Sequence, residues 1–114
     1  MRQAFQRTDR VSDSIRREVA DILERHVKDP RVALITITHV HVARDLKHAR
    51  IYFTCMREGE ELQAVHEGLK AAAGFVQRKL GERLRLRYTP HLCFSYDASV
   101  ARGIRMNRLL TDLE

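Results

Sequence analysis

No apolar run in this 114-residue sequence approaches the roughly 20 residues that a bilayer-crossing helix needs. The amino terminus, Met1-Arg2-Gln3-Ala4-Phe5-Gln6-Arg7, lacks the apolar stretch that marks a secretory signal. A soluble cytoplasmic protein is therefore expected, neither secreted nor membrane-bound. Cysteine is scarce: Cys55 and Cys93 are the only two. Each sits in an apolar, strand-like stretch, which suits a buried free thiol in a reducing compartment better than a disulfide. Pro30 and Pro90 stand singly, and there is no Ser/Gly/Pro-rich linker, low-complexity tract or internal repeat. One domain over residues 1–114 is expected, since a chain of this size buries roughly two-thirds of its unfolded surface. No long charged tail is expected after Glu114.

Charge is abundant. Lys and Arg number 21 against 15 Asp and Glu, a net charge of +6 with a pI near 9.9. That balance suggests a polyanionic partner, and its distribution says more. From Glu58 to Lys70, four glutamates stand against one lysine, a balance of −3. From Phe75 to Tyr88, Arg78, Lys79, Arg83, Arg85 and Arg87 stand against Glu82 alone, a balance of +4. A solvated surface ordinarily mixes its signs; this sequence separates them.

The apolar rhythm of Val11, Ile15, Val19, Ile22 and Leu23 predicts a helix over Thr8 to Lys28. Thr8 or Asp9 would cap it, Asp13/Arg17 and Glu24/Lys28 would pair along it, and Asp29-Pro30 would end it. A strand over Leu34 to Ala43 follows. Strict alternation puts Ile35 and Ile37 on one face and Val40 and Val42 on the other, so a β-bulge near Thr38-His39 is expected. After the polar turn Arg44-Asp45-Leu46-Lys47, Ala49, Ile51, Phe53 and Cys55 alternate with Arg50, Tyr52, Thr54 and Met56 in a second, antiparallel strand. Leu62, Val65 and Leu69 define a second helix, and Phe75, Val76, Leu80 and Leu84 a further helical piece. The joint is Ala72-Ala73-Gly74, where glycine costs about 1 kcal/mol relative to alanine and marks a kink or a tight approach. Pro90 opens a third strand, with Leu92, Phe94 and Tyr96 on one face and Cys93 and Ser95 on the other. Asp97 or Ser99 would cap a last short helix holding Ile104, Leu109 and Leu113. The order is α-β-β-α-α-β plus a terminal helix, an α+β fold with a three-stranded sheet packed on helices.

Catalytic constellations are thin. His39 and His41 lie two apart on a strand and share a face, with His48 across the turn, but no further ligand stands at zinc spacing. Asp29, Asp45 and Asp97 are single carboxylates at turns, where Asp serves as a cap or turn residue. Ser12, Ser14, Ser95 and Ser99 have no nucleophile elbow around them, and no Gly-rich loop precedes a lysine. No catalytic residue, metal, cofactor or small-molecule substrate is expected. The basic run suits RNA instead. Arg83, Arg85 and Arg87 alternate with Leu84 and Leu86, sharing one exposed side if the segment is extended, and guanidinium groups bind phosphate bidentately. Arg44 and Lys47 form a second basic contact. Tyr88 and Tyr96 fit either base stacking or core packing.

Several motifs stand together in order: Arg7-x-x-Arg10-Val11, Asp29-Pro30-Arg31, Arg44-Asp45-Leu46-Lys47-x-Ala49, Ala72-Ala73-Gly74-Phe75-Val76, Leu80-Gly81, Leu86-Arg87 through Pro90-x-Leu92-x-Phe94, and Tyr96-Asp97-x-Ser99. In this order, from about Arg7 to Leu113, the chain resembles the ribosome-binding factor A family. The resemblance implies a type II KH-like fold whose Ala72-Ala73-Gly74 helix kink stands where ordinary KH domains carry a GxxG loop. That departure favours a folded rRNA surface over ordinary reading of single-stranded bases. It also implies a monomeric, non-catalytic assembly factor of the small (30S) ribosomal subunit. Such a factor binds 16S rRNA in the free subunit, assists maturation of its 5′ end, and matters most in the cold. Two other readings remain open: a general single-stranded nucleic-acid-binding module, and a metal-dependent nuclease built on Asp29, Asp45 or Asp97.

Overall fold

Apolar periodicity places every main element. In the computed structural model, which describes residues 2–86 and 88–99 with side chains from Arg10 onward, Ile15, Val19, Ile22 and Leu23 are the buried stripe of α1 (Arg2–His26). The helix starts upstream of Thr8 and Asp9, which therefore do not cap it. It also stops before Lys28, leaving that residue outside the helix and away from an i,i+4 pairing with Glu24. The Asp13–Arg17 pair forms at 3.4 Å, alongside Asp13–Arg16 at 2.9 Å. Pro30–Val32 makes one 3-10 turn, with the Asp29 carboxylate accepting from the Arg31 amide at 2.9 Å.

Next come β1 (Thr36–Val42) and β2 (His48–Thr54), an antiparallel pair. Their register shifts between Ile37 and His39, the expected bulge, and it brings Ile37, Val40 and Val42 onto the core side together. Leu34 lies outside the strand, with φ of 60° and 92% exposure. The Arg57 guanidinium fastens this corner, donating to the carbonyls of Arg31 (2.5 Å), Ala33 (2.9 Å) and Pro30 (3.4 Å).

The two expected helical pieces are one continuous helix, α2 (Glu60–Leu84), which runs unbroken through Ala72-Ala73-Gly74. Its buried residues explain why. Val65, Leu69, Val76 and Leu80 keep one phase across the joint, because the seven positions from Leu69 to Val76 are two helical turns. That burial, about 1.5–3 kcal/mol per fully buried aliphatic side chain, outweighs the glycine cost of about 1 kcal/mol. Gly74 is not closely approached: a Cβ there would meet nothing within 4 Å. The close approaches are at Gly68, where a Cβ would lie 2.9 Å from Val32 Cγ1 and 3.0 Å from Arg31 Cβ, and at Gly81, which abuts the Thr89 hydroxyl.

The crossover through α2 delivers β3 (His91–Tyr96) parallel to β2, completing a sheet of order β1-β2-β3. Both helices pack on one face, over Ile37, Val40, Val42, Ala49, Ile51, Phe53 and Leu92. The α+β class and the sheet-on-helices layering expected above are those observed, in an arrangement consistent with a KH-like order. Cys93 is exposed on the opposite face and Cys55 half-buried, so neither is the buried thiol anticipated. Strand alternation accounts for Cys93, whose neighbour Leu92 takes the inward position. Tyr96 packs inward, its ring edge-on to Phe53 at 5.8 Å. The terminal helix expected around Ile104, Leu109 and Leu113 lies outside the described residues, as does Arg87.

Candidate nucleic-acid interface

Charge separation along α2 follows its dipole, with Glu60 and Glu61 in the first turn and Arg83 in the last. Beyond Leu84 the chain turns sharply. Arg85 caps the helix in the left-handed region (φ 50°, ψ 40°), its amide donating to the Gly81 carbonyl at 3.0 Å. Arg83 is therefore helical while Arg85 lies past the helix end, so these two do not share one side of an extended segment.

Arg83 is also not the exposed cation expected of it. Its Nη1 donates to Asp21 Oδ2 at 2.7 Å and to Glu18 Oε2 at 2.9 Å, with only 26% of the side chain exposed. These bonds raise the Arg83 pKa, Asp21 contributing most, and the Arg83 hydrogen bond is the main cause holding the Asp21 carboxyl below its usual range. Lys79 is half-buried, 3.8 Å from the Glu82 carboxylate and 6.0 Å above the Phe75 ring. Arg78 and Arg85 are exposed.

The turn between β1 and β2 carries the other two expected cations, Arg44 and Lys47, both exposed. Asp45 Oδ1 accepts from the Lys47 amide at 2.9 Å, the Leu46 amide donates to Ala43 at 2.9 Å, and Leu46 takes φ of 60°. This turn meets the segment after α2. The His91 amide donates to the Lys47 carbonyl at 2.7 Å, and His48 pairs with His91 in the parallel register. The turn carrying Arg44 and Lys47 and the start of β3 thus share one end of the sheet, and Arg85, at the α2 carboxyl terminus, precedes β3 by six positions. His48 and His91 add their rings there, edge to face at 6.2 Å.

The joint residues Ala72, Ala73 and Gly74 lie mid-helix, Ala72 packing against the core and Gly74 exposed. The three turn aspartates all cap local backbone: Asp29 accepts from Arg31, Asp45 from Lys47, and Asp97 Oδ1 from the Ser99 amide at 3.0 Å. Asp97 also takes the Ser99 hydroxyl at 2.5 Å and, through Oδ2, the Thr38 hydroxyl at 2.7 Å. Those bonds, Ser99 first and Thr38 second, hold its carboxyl below the usual range. Among the described residues no three His, Cys, Asp or Glu side chains come together to hold a metal ion, and no helix is long and apolar enough to cross a membrane.

The same chain is similar to known proteins along almost its whole length. The ribosome-binding factor A family model matches residues 7–110. Ribosome-binding factor A of Thioalkalivibrio sulfidiphilus is 44% identical over 110 residues, covering 96% of this chain and 85% of the relative. That of Acetivibrio thermocellus is 44% identical over 109 residues, covering 95% and 89%. Among solved structures, the crystal structure of ribosome-binding factor A from Thermus thermophilus superposes with a TM-score of 0.70 at 25% identity, over 78% of this chain and 94% of that one. A Thermus thermophilus homology model fitted into a cryo-EM map of a complex between the 30S subunit and that factor superposes with a TM-score of 0.62 at 26% identity, over 75% and 89%. With a family match across nine-tenths of its sequence and relatives of this identity, the chain belongs to the ribosome-binding factor A family.

Proposed function

We propose that this protein is a monomeric, cytoplasmic assembly factor of the small ribosomal subunit, built as one KH-like domain, that binds the free 30S particle through 16S rRNA. The observation that carries the RNA contact is the exposure of Arg44 and Lys47 on a turn joined to the start of β3 by the His91–Lys47 hydrogen bond, with the exposed Arg85 at the end of α2 leading into that strand. Arg78 extends that surface along α2, and Arg87 belongs to the same basic run. Lys79 and Arg83 contribute less, because each already meets carboxylate. A relative fitted into a 30S complex supports the choice of particle.

The mechanism is non-covalent. Contacts spread over several phosphates favour one rRNA arrangement over another by the difference in affinity for the two. Holding the 16S 5′ region in a processing-competent arrangement needs no chemistry from the factor, and its effect is greatest in the cold, where misfolded rRNA escapes slowly. With about five phosphates neutralised, log affinity falls against log salt with a slope of about −3.5 to −4.5.

Sedimentation of the purified protein with free subunits and intact ribosomes, at low and moderate salt, tests this. Comigration with free small subunits alone is expected. Equal association with every particle, lost together as salt rises, would leave only a general nucleic-acid binder.

A further inference from the structure

Both described helices pack on one face of the sheet, and among the described residues no helix covers the other face. Its chemistry is one-sided. The strands β1, β2 and β3 contain no Asp or Glu at all, while their outward positions carry His39, His41, His48, His91, Arg50 and Tyr52. The register arranges these in rows across the sheet. His41 pairs with Arg50, which pairs with Cys93; His39 pairs with Tyr52, which pairs with Ser95. Successive rows on a strand stand about 6.7 Å apart, two residues of extended chain.

The bulge between Ile37 and His39 sets the middle row. It turns His39 outward beside Tyr52, their ring centroids 5.9 Å apart and their planes tilted by 32°. The two rings thus form an aromatic platform on the solvent side of the sheet. A depression lined by His39, His41, Tyr52, Asp97 and Ser99 lies over it. Asp97 is the one carboxylate at its rim. Three donors already engage it: the Thr38 hydroxyl and the amide and hydroxyl of Ser99. A carboxylate offers about four acceptor positions, so most of the hydrogen-bonding capacity of Asp97 is already taken, and it stands as the single anion among the lining residues.

Bases of an unpaired strand stack on exposed aromatic rings whatever their identity, and arginine holds the adjacent phosphates. A duplex hides its base faces and cannot use such a platform. We propose that the open sheet face is a second RNA-binding surface, which takes an unpaired RNA segment by stacking bases on Tyr52 and His39 and holding its phosphates with Arg50 and His41. It is separate from the basic end of the sheet, and binding to it is read on the free protein without any ribosomal particle.

The test is fluorescence anisotropy of the full chain with labelled oligouridine and oligoadenosine RNA, together with amide chemical-shift mapping. Tyr52→Leu should weaken oligonucleotide binding about tenfold or more, and Tyr52→Phe should restore it. Arg50→Gln should lower the log–log salt slope by about one. Amide shifts should move on the outward positions of β1 and β2. Should Tyr52→Leu disturb the fold, the double variant of Arg50→Gln with His41→Gln, both exposed positions, serves instead. Unchanged affinity in a folded variant, absence of oligonucleotide binding, or shifts confined to the Arg44–Lys47 turn and the end of α2 would each overturn the proposal. Cosedimentation with small subunits is measured separately, so that failure here is distinct from failure of the assembly-factor reading.

Discussion

The Arg83 guanidinium lies 2.7 Å from the Asp21 carboxylate, so a cation from the basic run ties α2 to α1. Arg83→Met should therefore lower the thermal midpoint by a few degrees while changing RNA affinity less than Arg85→Ala does, with both variants compared well below their midpoints. The pH dependence has a definite sign. Arg83 holds the folded-state pKa of Asp21 below its unfolded value, so the contribution is complete above the unfolded pKa and disappears as pH falls through the folded one. The gap in thermal midpoint between the wild type and Arg83→Met should stay constant from about pH 7 to pH 5 and close below about pH 4. A gap that persisted in acid would mean that lost packing, rather than the ion pair, sets it.

Two glycines of one helix should respond oppositely to alanine. At Gly74 a Cβ enters open space, so Gly74→Ala should stabilise the protein by about 1 kcal/mol through helix propensity. At Gly68 it enters the packed contact with Val32, and Gly68→Ala should destabilise by about 1–3 kcal/mol. Chemical denaturation of both variants checks this. Subunit binding by Gly74→Ala then tells whether the glycine matters to RNA at all.

Arg85 occupies a left-handed helix cap, a position that glycine takes without steric cost. Arg85→Gly should raise stability by about 1 kcal/mol and at the same time reduce the salt slope of subunit binding by about one. Opposite movement of the two readouts would mark Arg85 as a residue kept for its charge at the expense of its backbone. Parallel movement would assign it to the fold.

Asp97 reaches from the end of β3 across β2 to Thr38 on β1 while capping the backbone at Ser99. Asp97→Ala should cost about 1 kcal/mol, the usual loss when a capping side chain is removed. Asp97→Asn should cost less, since its amide oxygen still accepts. Thermal unfolding at neutral pH distinguishes them. The gap between the wild type and Asp97→Asn should shrink as pH falls through the depressed folded-state pKa of Asp97, where protonation removes the advantage of its charge.

What could be read from the sequence was whatever has a local period. The core stripe of α1, the hairpin of β1 and β2, and the inward face of β3 are repeats of 3.6 or 2. Even the bulge at Thr38 showed itself as a slip of phase. The Gly74 joint misled because three small residues look like a break, although the Leu69-to-Val76 spacing already carried the helix through. Arg83 misled for a different reason. Its partners, Glu18 and Asp21, are more than sixty positions away, and no pattern around Arg83 announces them. The junction of the Arg44–Lys47 turn with the start of β3 depends on β3 lying parallel to β2, a long-range pairing that strand periodicity does not specify. The outward row of Arg50 and Tyr52 was visible as alternation, but its openness depends on which face the helices choose.

That parallel pairing also sets an order of events during synthesis. The β1–β2 hairpin is local and can close as soon as it leaves the ribosome, whereas β3 registers with β2 only across the forty-three positions from His48 to His91. At about 5–20 residues per second, the newborn hairpin waits several seconds with one edge of β2 unpaired. The hydrophobic stripe of α2 is made during that interval and is available to cover the inward face of the hairpin before β3 arrives to close its side.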